Sequence, residues 1–385
     1  MKKIKDLKVA LAHDYLREYG GAERVLEVLH EIFPDAPVYV SFVDSSVTGI
    51  HWQKFADWKI YQSWLTKIPF YKKLFSPLRI FAPQYFSHFD LSEYDVVISS
   101  TNAYFSKAVK VRGGRGENTK KPTVHITYCH TPARSLYGYT TMTDWKKNPV
   151  MNFLGTLANH YLRVVDLYVS RNNVDYFIAN SKETARRIKK FYKLDSTVIY
   201  PPIEIEGGRK FESKISNINK DGYYLYVGRL AMSKHVDLVV SAATKMGFKL
   251  KVVGSGKGLD YLKEIAGPTV EFFESANDKQ LFELYENAEA LLYPAEDEDF
   301  GMVPIEAMGH GVPVIAHRSG GPLETVVEGE NGVFFDKFTV EDFSKAIKKI
   351  EKMKFDKNKL YKYSLKFSKT RFKKEIEEFV ADKLG

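Results

Sequence analysis

The sequence predicts an α/β protein of two successive domains, each built on a mainly parallel sheet. Three observations carry this. The chain has 385 residues, too many for one ordinary core and suited to two domains of roughly 150–200 residues each. Short apolar runs alternate with segments of helical spacing down most of its length, the pattern of βαβ units. That pattern halts at a stiff proline joint, Ile199-Tyr200-Pro201-Pro202-Ile203, and then restarts. The domains are therefore read as 1–202 and 203–365, with a closing helix over 366–385.

Residues 7–12 (LKVALA) form a buried first strand. Gly20-Gly21 breaks the chain, and Ala22, Val25, Leu26, Leu29 and Phe33 then recur at helical spacing up to Pro34. Residues 95–99, 123–128 and 176–179 are further short apolar runs, the last leading into a helix over 181–191 with a Ser-Lys-Glu-Thr cap. Beyond the joint, a polar, pattern-poor stretch runs to Asp221. Strands are then expected at 223–227, 250–253, 270–273 and 290–293, with helices at 236–245 and 278–288. Phe372, Ile376, Phe379 and Val380 mark an amphipathic helix over 367–384.

A 44% apolar fraction excludes a disordered chain. Lys and Arg (57) outnumber Asp and Glu (48), and the +9 balance favours an anionic partner. The one cysteine, Cys129, allows no intramolecular disulfide and no Cys-based zinc site, which fits a reducing compartment. The charged start, Met1 to Asp6, runs into an apolar stretch too short for a signal peptide. No run of about 18 apolar residues is present, so membrane contact is expected to be peripheral.

The stretch most informative about chemistry is Glu296-Asp297-Glu298-Asp299-Phe300-Gly301-Met302-Val303-Pro304-Ile305-Glu306. It follows a strand, turns on Gly301, starts a short helix near Pro304 and ends it at Gly309 or Gly311. A tight turn and a helix N-terminus at the carboxyl edge of a parallel sheet is where α/β folds bind ligands, and the amides of 300–302 would receive phosphate or hydroxyl oxygens. Glu298 and Glu306 would bracket that turn and accept from vicinal sugar hydroxyls. Acids in this place also complement a helix dipole with no further role. Arg229 directly follows the first strand of the second half and Lys234 comes five residues later. Both would stand at the same edge and could hold a diphosphate; alone they could equally be solvated surface cations.

Val227-Gly228-Arg229-Leu230 with Lys234, Glu298-x7-Glu306, 311–316 (GVPVIA) and Gly320-Gly321-Pro322-Leu323-Glu324 together resemble the retaining GT-B glycosyltransferases of family 4. Gly20-Gly21-Ala22-Glu23 and the closing helix extend the likeness over nearly the whole chain. His130-Thr131-Pro132 is similar to a subgroup rich in mannosyltransferases, although Ala133 replaces that subgroup's usual Met. The resemblance implies an α/β GT-B fold: two Rossmann-like domains, a deep cleft between them, and a C-terminal helix returning to the N-terminal domain. It implies that Arg229 and Lys234 neutralise the donor diphosphate and that Glu306 takes the ribose hydroxyls. Glu298 and the amides at Phe300, Gly301 and Met302 would hold the transferred sugar, and His130 would hydrogen-bond it. Gly20 and Gly21 would let a loop approach the phosphates.

The activity implied is a retaining hexosyltransferase using a GDP- or UDP-linked sugar, mannose first, with no other cofactor. Glu296 to Asp299 alternates acids without a second ligand cluster, so metal independence is expected. Base contacts would come from backbone near 273–276. A nucleotide-sugar epimerase or phosphorylase of the same architecture, or a non-catalytic sugar- or lipid-binding scaffold, remain alternatives.

Residues 52–86 carry seventeen large apolar or aromatic residues, among them Trp52, Phe55, Leu65, Phe70, Leu74, Phe81, Tyr85 and Phe86. Six cations, Lys54, Lys59, Lys67, Lys72, Lys73 and Arg79, stand among them against the lone acid Asp57. Such a mixture suits an anionic membrane surface at the cytoplasmic face, where a lipid-linked acceptor would dock. The same aromatics could instead pack onto the N-terminal core. No nucleic-acid motif accompanies them. Gly254-Ser255-Gly256-Lys257-Gly258 lacks the spacing of a dinucleotide or P-loop signature and is read as a loop near the donor; Gly113-Gly114-Arg115-Gly116 is read as a basic turn.

Overall fold

Burial alternates in sense along the first strand. Val9 and Leu11 join an apolar cluster with Val25, Leu26 and Leu29, while Ala10 and Ala12 join another with Phe42, Tyr85 and Phe86. A strand apolar on both faces requires layers on both sides, the arrangement of a parallel sheet. The computed structural model describes residues 6–102, 105–111, 123–139, 149–205, 211, 215–217 and 222–384. The expected turn at Gly113-Gly114-Arg115-Gly116 and most of the polar stretch before Asp221 lie outside the described residues.

Contacts divide the chain into two units, Met1–Pro202 with Lys369–Gly385, and Ile203–Ser368. The first carries Val9–His13 (β1), Val38–Val40 (β2), Ile60–Gln62 (β3), Val96–Thr101 (β4), Val124–Cys129 (β5), Tyr176–Ala179 (β6) and Thr197–Val198 (β7). Its sheet order is β3-β2-β1-β4-β5-β6-β7, with every neighbouring pair parallel. The order reverses between β1 and β4. The helix Lys369–Leu384 lays Phe372, Ile376, Phe379 and Val380 on the cluster that holds Val9 and Leu11. Lys369 and Lys373 both pair with Glu31 at 2.7 Å. Residues 366–368, grouped by the sequence with that helix, stay with the second unit, where the Ile203 amide donates to the Phe367 carbonyl at 2.8 Å.

The second unit carries Ile215–Asn217 (β8), Tyr223–Val227 (β9), Lys249–Val253 (β10), Val270–Phe273 (β11), Ala288–Tyr293 (β12), Val314–His317 (β13), Gly332–Phe335 (β14) and Lys354–Asp356 (β15). Its main sheet runs β11-β10-β9-β12-β13-β14, also parallel throughout, and reverses between β9 and β12. β8 and β15 pair antiparallel beside it. Each unit is thus a Rossmann-like sheet with one topological switch point.

A helix not foreseen from sequence, Pro149–Asn172, is the longest in the described chain. Its inner face mixes apolar and polar groups: Leu162 is buried in the cluster of Ala10 and Ala12, and Asp166 and Ser170 are buried beside it. Asp166 pairs with buried Lys107 at 2.8 Å and accepts from the hydroxyls of Tyr137 (2.8 Å) and Tyr192 (2.9 Å). Its solvent side carries Phe153, Leu154, Leu157, Tyr161, Val164 and Tyr168, all exposed. Arg79 and Gln84 tie it to the preceding segment through Asn159 (3.3 Å) and Tyr161 (3.0 Å). That segment does not act as one surface. Phe55, Leu65, Tyr85 and Phe86 are buried in the core, whereas Phe70 is 76% exposed and Leu74 and Phe81 are also exposed.

Candidate active site

In the second unit, Gly228 and Arg229 leave the end of β9, and residues 297–301 leave the end of β12, so the two loops rise on either side of the switch point. Lys234 is ion-paired with Glu298, both largely buried. The Tyr293 hydroxyl bonds the same carboxylate, and burial with that charge raises its pKa well above the usual phenol value. Arg229 is exposed on the loop and its carbonyl accepts from the Tyr226 hydroxyl at 3.1 Å. Burial and then Glu298 push the Tyr226 pKa up while Arg229 pulls it down, so both charges are felt at this one phenol.

The helix after the acidic turn is Met302–Gly309, two residues earlier than Pro304 alone suggested, with Gly301 before it at φ 84°. Phe300 is buried against Phe367, with ring centroids 5.7 Å apart. Glu306 accepts from the Tyr285 hydroxyl at 3.2 Å, and Tyr285 stacks on His310. Both loops rest on backbone. Gly321 N–H donates to the Glu298 carbonyl at 2.7 Å, and a Cβ on Gly321 would lie 2.2 Å from the Phe300 oxygen. The Gly254–Gly258 stretch, read from sequence only as a neighbouring loop, supports the other side. Leu230 N–H donates to the Ser255 carbonyl at 2.9 Å, Gly258 N–H to Leu230 at 3.0 Å, and a Cβ on Gly254 would fall 1.9 Å from the Gly228 oxygen. Neither position tolerates a side chain without moving a candidate anion-binding loop.

In the first unit the switch point is a side-chain assembly. His13 ends β1, its register partner Ser100 stands near the end of β4, and His130 follows β5. The Ser100 hydroxyl lies 3.1 Å from His13 Nδ1 and 2.8 Å from His130 Nε2. His13 Nε2 faces Glu23 Oε1 at 3.5 Å, and the other Glu23 oxygen accepts the Gly20 N–H at 2.8 Å. All four side chains are buried. Desolvation, then the nearby His13, lowers the His130 pKa to about 3. Asp14 accepts from the amides of Asn102 (2.7 Å) and Ser106 (3.2 Å), tying the end of β1 to residues beyond β4. Buried Arg187 reaches Thr131 Oγ1 at 3.4 Å and Glu183 at 2.9 Å, steadying the His130 loop from the helix Lys182–Tyr192.

The structure therefore brings Lys234 and Glu298 together and links His130 to the Gly20 turn through three residues. His13, Ser100 and Tyr293 were not singled out from sequence; only Glu23 stood inside a quoted motif. Gly20 takes extended backbone, φ −126°, and a Cβ there would approach only the Glu23 carboxylate, at 3.3 Å.

Residues 19–206 match the family described as Glycosyltransferase Family 4, and residues 208–367 match Glycosyl transferases group 1. The chain belongs to these GT-B glycosyltransferases. Within the family, it is 28% identical over 203 residues to the alpha-1,3/1,6-mannosyltransferase ALG2 of Kluyveromyces lactis, covering 40% of each chain. It is 33% identical over 122 residues to a GDP-mannose-dependent alpha-mannosyltransferase of Corynebacterium glutamicum, covering 32% of this chain and 29% of that one. The match thus spans well under half the length of either relative. The fold is shared with Anabaena HepE, solved in complex with UDP, at a TM-score of 0.67 and 18% identity over 98% of this chain and 100% of that one. Mannosyltransferases recur among the chain's relatives, beside a D-inositol 3-phosphate glycosyltransferase of Mycolicibacterium smegmatis, 26% identical over 208 residues.

Proposed function

We propose that the chain is a retaining hexosyltransferase that moves a sugar, mannose first, from a nucleoside-diphosphate donor to a lipid-linked or glycan acceptor at the inner face of the membrane. The observation that carries this reading is the Lys234–Glu298 pair at the carboxyl edge of β9 and β12, beside the N-terminus of Met302–Gly309. A diphosphate arriving at Lys234 would take the cation and release Glu298 toward a sugar hydroxyl. Arg229 and Lys234 would meet the charge that develops on the leaving diphosphate, where fixed cations lower the barrier most. The departing phosphate oxygen would accept the proton of the acceptor hydroxyl on the face from which it leaves, so configuration is kept. Glu306, held by Tyr285, would take the ribose hydroxyls, Phe300, Gly301 and Met302 would offer amides, and His130 would contact the sugar. No cofactor beyond the co-substrate enters.

The names of the two relatives favour mannose and, in one case, GDP-mannose; the UDP-bound neighbour keeps a uridine donor as the second candidate. Membrane attachment is supported by exposed Phe70, Leu74 and Phe81 and by the outer stripe of Pro149–Asn172. Residues 63–88 hold no carboxylate, and the one acid of the long helix, Asp166, is buried against Lys107. No helix among the described residues is long and apolar enough to cross a membrane.

A thermal-shift and turnover screen across GDP-mannose, UDP-glucose and UDP-GlcNAc tests the donor, since only a bound donor or its nucleotide raises the melting point. Arg229→Ala and Glu306→Ala should each abolish transfer in a folded protein, and EDTA should leave it unchanged. Donor consumed equally fast without acceptor would favour the epimerase or hydrolase reading. Full activity in both variants would remove the mechanism. Doubling Phe153→Ser with Leu157→Ser should lower sedimentation with phosphatidylglycerol vesicles severalfold; unchanged binding removes that surface.

A further inference from the structure

Glu23, His13, Ser100 and His130 come from a helix, two strands and a loop, yet they form one continuous line of polar contacts. We propose that Glu23, His13 and Ser100 are positioning residues that hold His130 as its Nε2–H tautomer, leaving Nδ1 as an acceptor for a sugar hydroxyl. A carboxylate only accepts, so the His13 nitrogen that faces it, Nε2, carries the hydrogen. With its one hydrogen on Nε2, His13 offers the Nδ1 lone pair to the Ser100 O–H. With its single hydrogen committed, the Ser100 oxygen can only accept from His130, which must carry its hydrogen on Nε2. The burial that disfavours a charged His130 ring leaves it one hydrogen to place.

With one hydrogen on His13, the opposite polarity would set a lone pair against the Glu23 carboxylate, so the acid favours this direction; a second hydrogen, on His13 Nδ1, would reverse the line and put the His130 hydrogen on Nδ1. Both ends are anchored: Glu23 by the Gly20 amide at 2.8 Å, and the His130 backbone by its N–H to the Thr101 carbonyl at 2.9 Å. The consequence for recognition is a sign. A hydroxyl can donate to Nδ1, whereas an ether, a carbonyl or a phosphate oxygen cannot. This last step rests on the transferase reading; the tautomer does not.

The full chain labelled with [15N]histidine, read by long-range proton–nitrogen correlation, tests it, with His130→Asn and His13→Asn assigning the two rings. His130 is expected to show a protonated Nε2 and a bare Nδ1. Glu23→Gln, whose amide can also donate, should shift His130 toward a mixture of tautomers, as should Ser100→Ala, and Ser100→Thr should restore the wild-type pattern. A protonated Nδ1 in the wild-type His130 overturns the proposal, as does a pattern unmoved by both Glu23→Gln and Ser100→Ala. Absence of glycosyl transfer would sink the function and leave this result standing.

Discussion

The two switch points solve one positioning problem with different materials. In the first unit, side chains hold side chains: His13, Ser100, His130 and Glu23 form a buried polar line, and Lys107, Asp166, Tyr137 and Tyr192 another. In the second, backbone holds backbone, with Gly254 against Gly228 and Gly321 against Phe300. A polar line fails when a partner is removed; a backbone contact fails when an atom is added. Opposite substitutions therefore probe the two halves.

The largest effect is expected from Asp166→Ala, which strands the Lys107 ammonium in the core and should cost about 3–5 kcal/mol, read as a lower urea midpoint. Next is Gly254→Ala. Its Cβ would fall 1.9 Å from a main-chain oxygen at φ 143°, and about 3 kcal/mol of destabilisation, roughly 6–12 °C in melting temperature, should follow. Tolerance of that methyl would show that backbone contact is not what seats the loop.

A pH series sharpens the first unit's side. His125 and His130 are held neutral, with pKa values lowered by burial to about 4 and about 3. Below the ordinary value near 6.5 the unfolded chain binds protons that the folded chain refuses, so stability is full above that pH and falls as acid is added. Each ring contributes a slope of about 1.4 kcal/mol per pH unit. His130→Asn should remove one ring's share between neutral pH and about pH 5, measured by urea unfolding. The smallest effect belongs to Gly20→Ala, at about 0.5–1 kcal/mol for an alanine at the N-cap, since the added carbon meets only a carboxylate end. A large loss there would show that the first unit also depends on a bare backbone.

The alternation of strands and helices was legible because β1, β4, β5, β6, β9 and β10 are apolar runs bounded by breakers. β2, β3 and β15 have three residues each, too few to show a period. The helix Pro149–Asn172 escaped because its apolar residues show no single face: Leu162 turns inward with Asp166 and Ser170, while Leu157, Val164 and Tyr168 turn outward. The acidic turn and its lysine could be read from spacing. The polar line could not, since His13 and Ser100 are 87 residues apart and meet only through the β1–β4 register. Residues 52–86 show the limit of composition, which does not distinguish buried Phe55 from exposed Phe70.

The loops that lean on Gly254 and Gly321 have little disorder left to lose when an anion arrives. Recognition there should be fast and should draw on contacts already in place, without waiting for a segment to organise. Loosening either support would then weaken affinity from a distance, through residues that never touch what is bound.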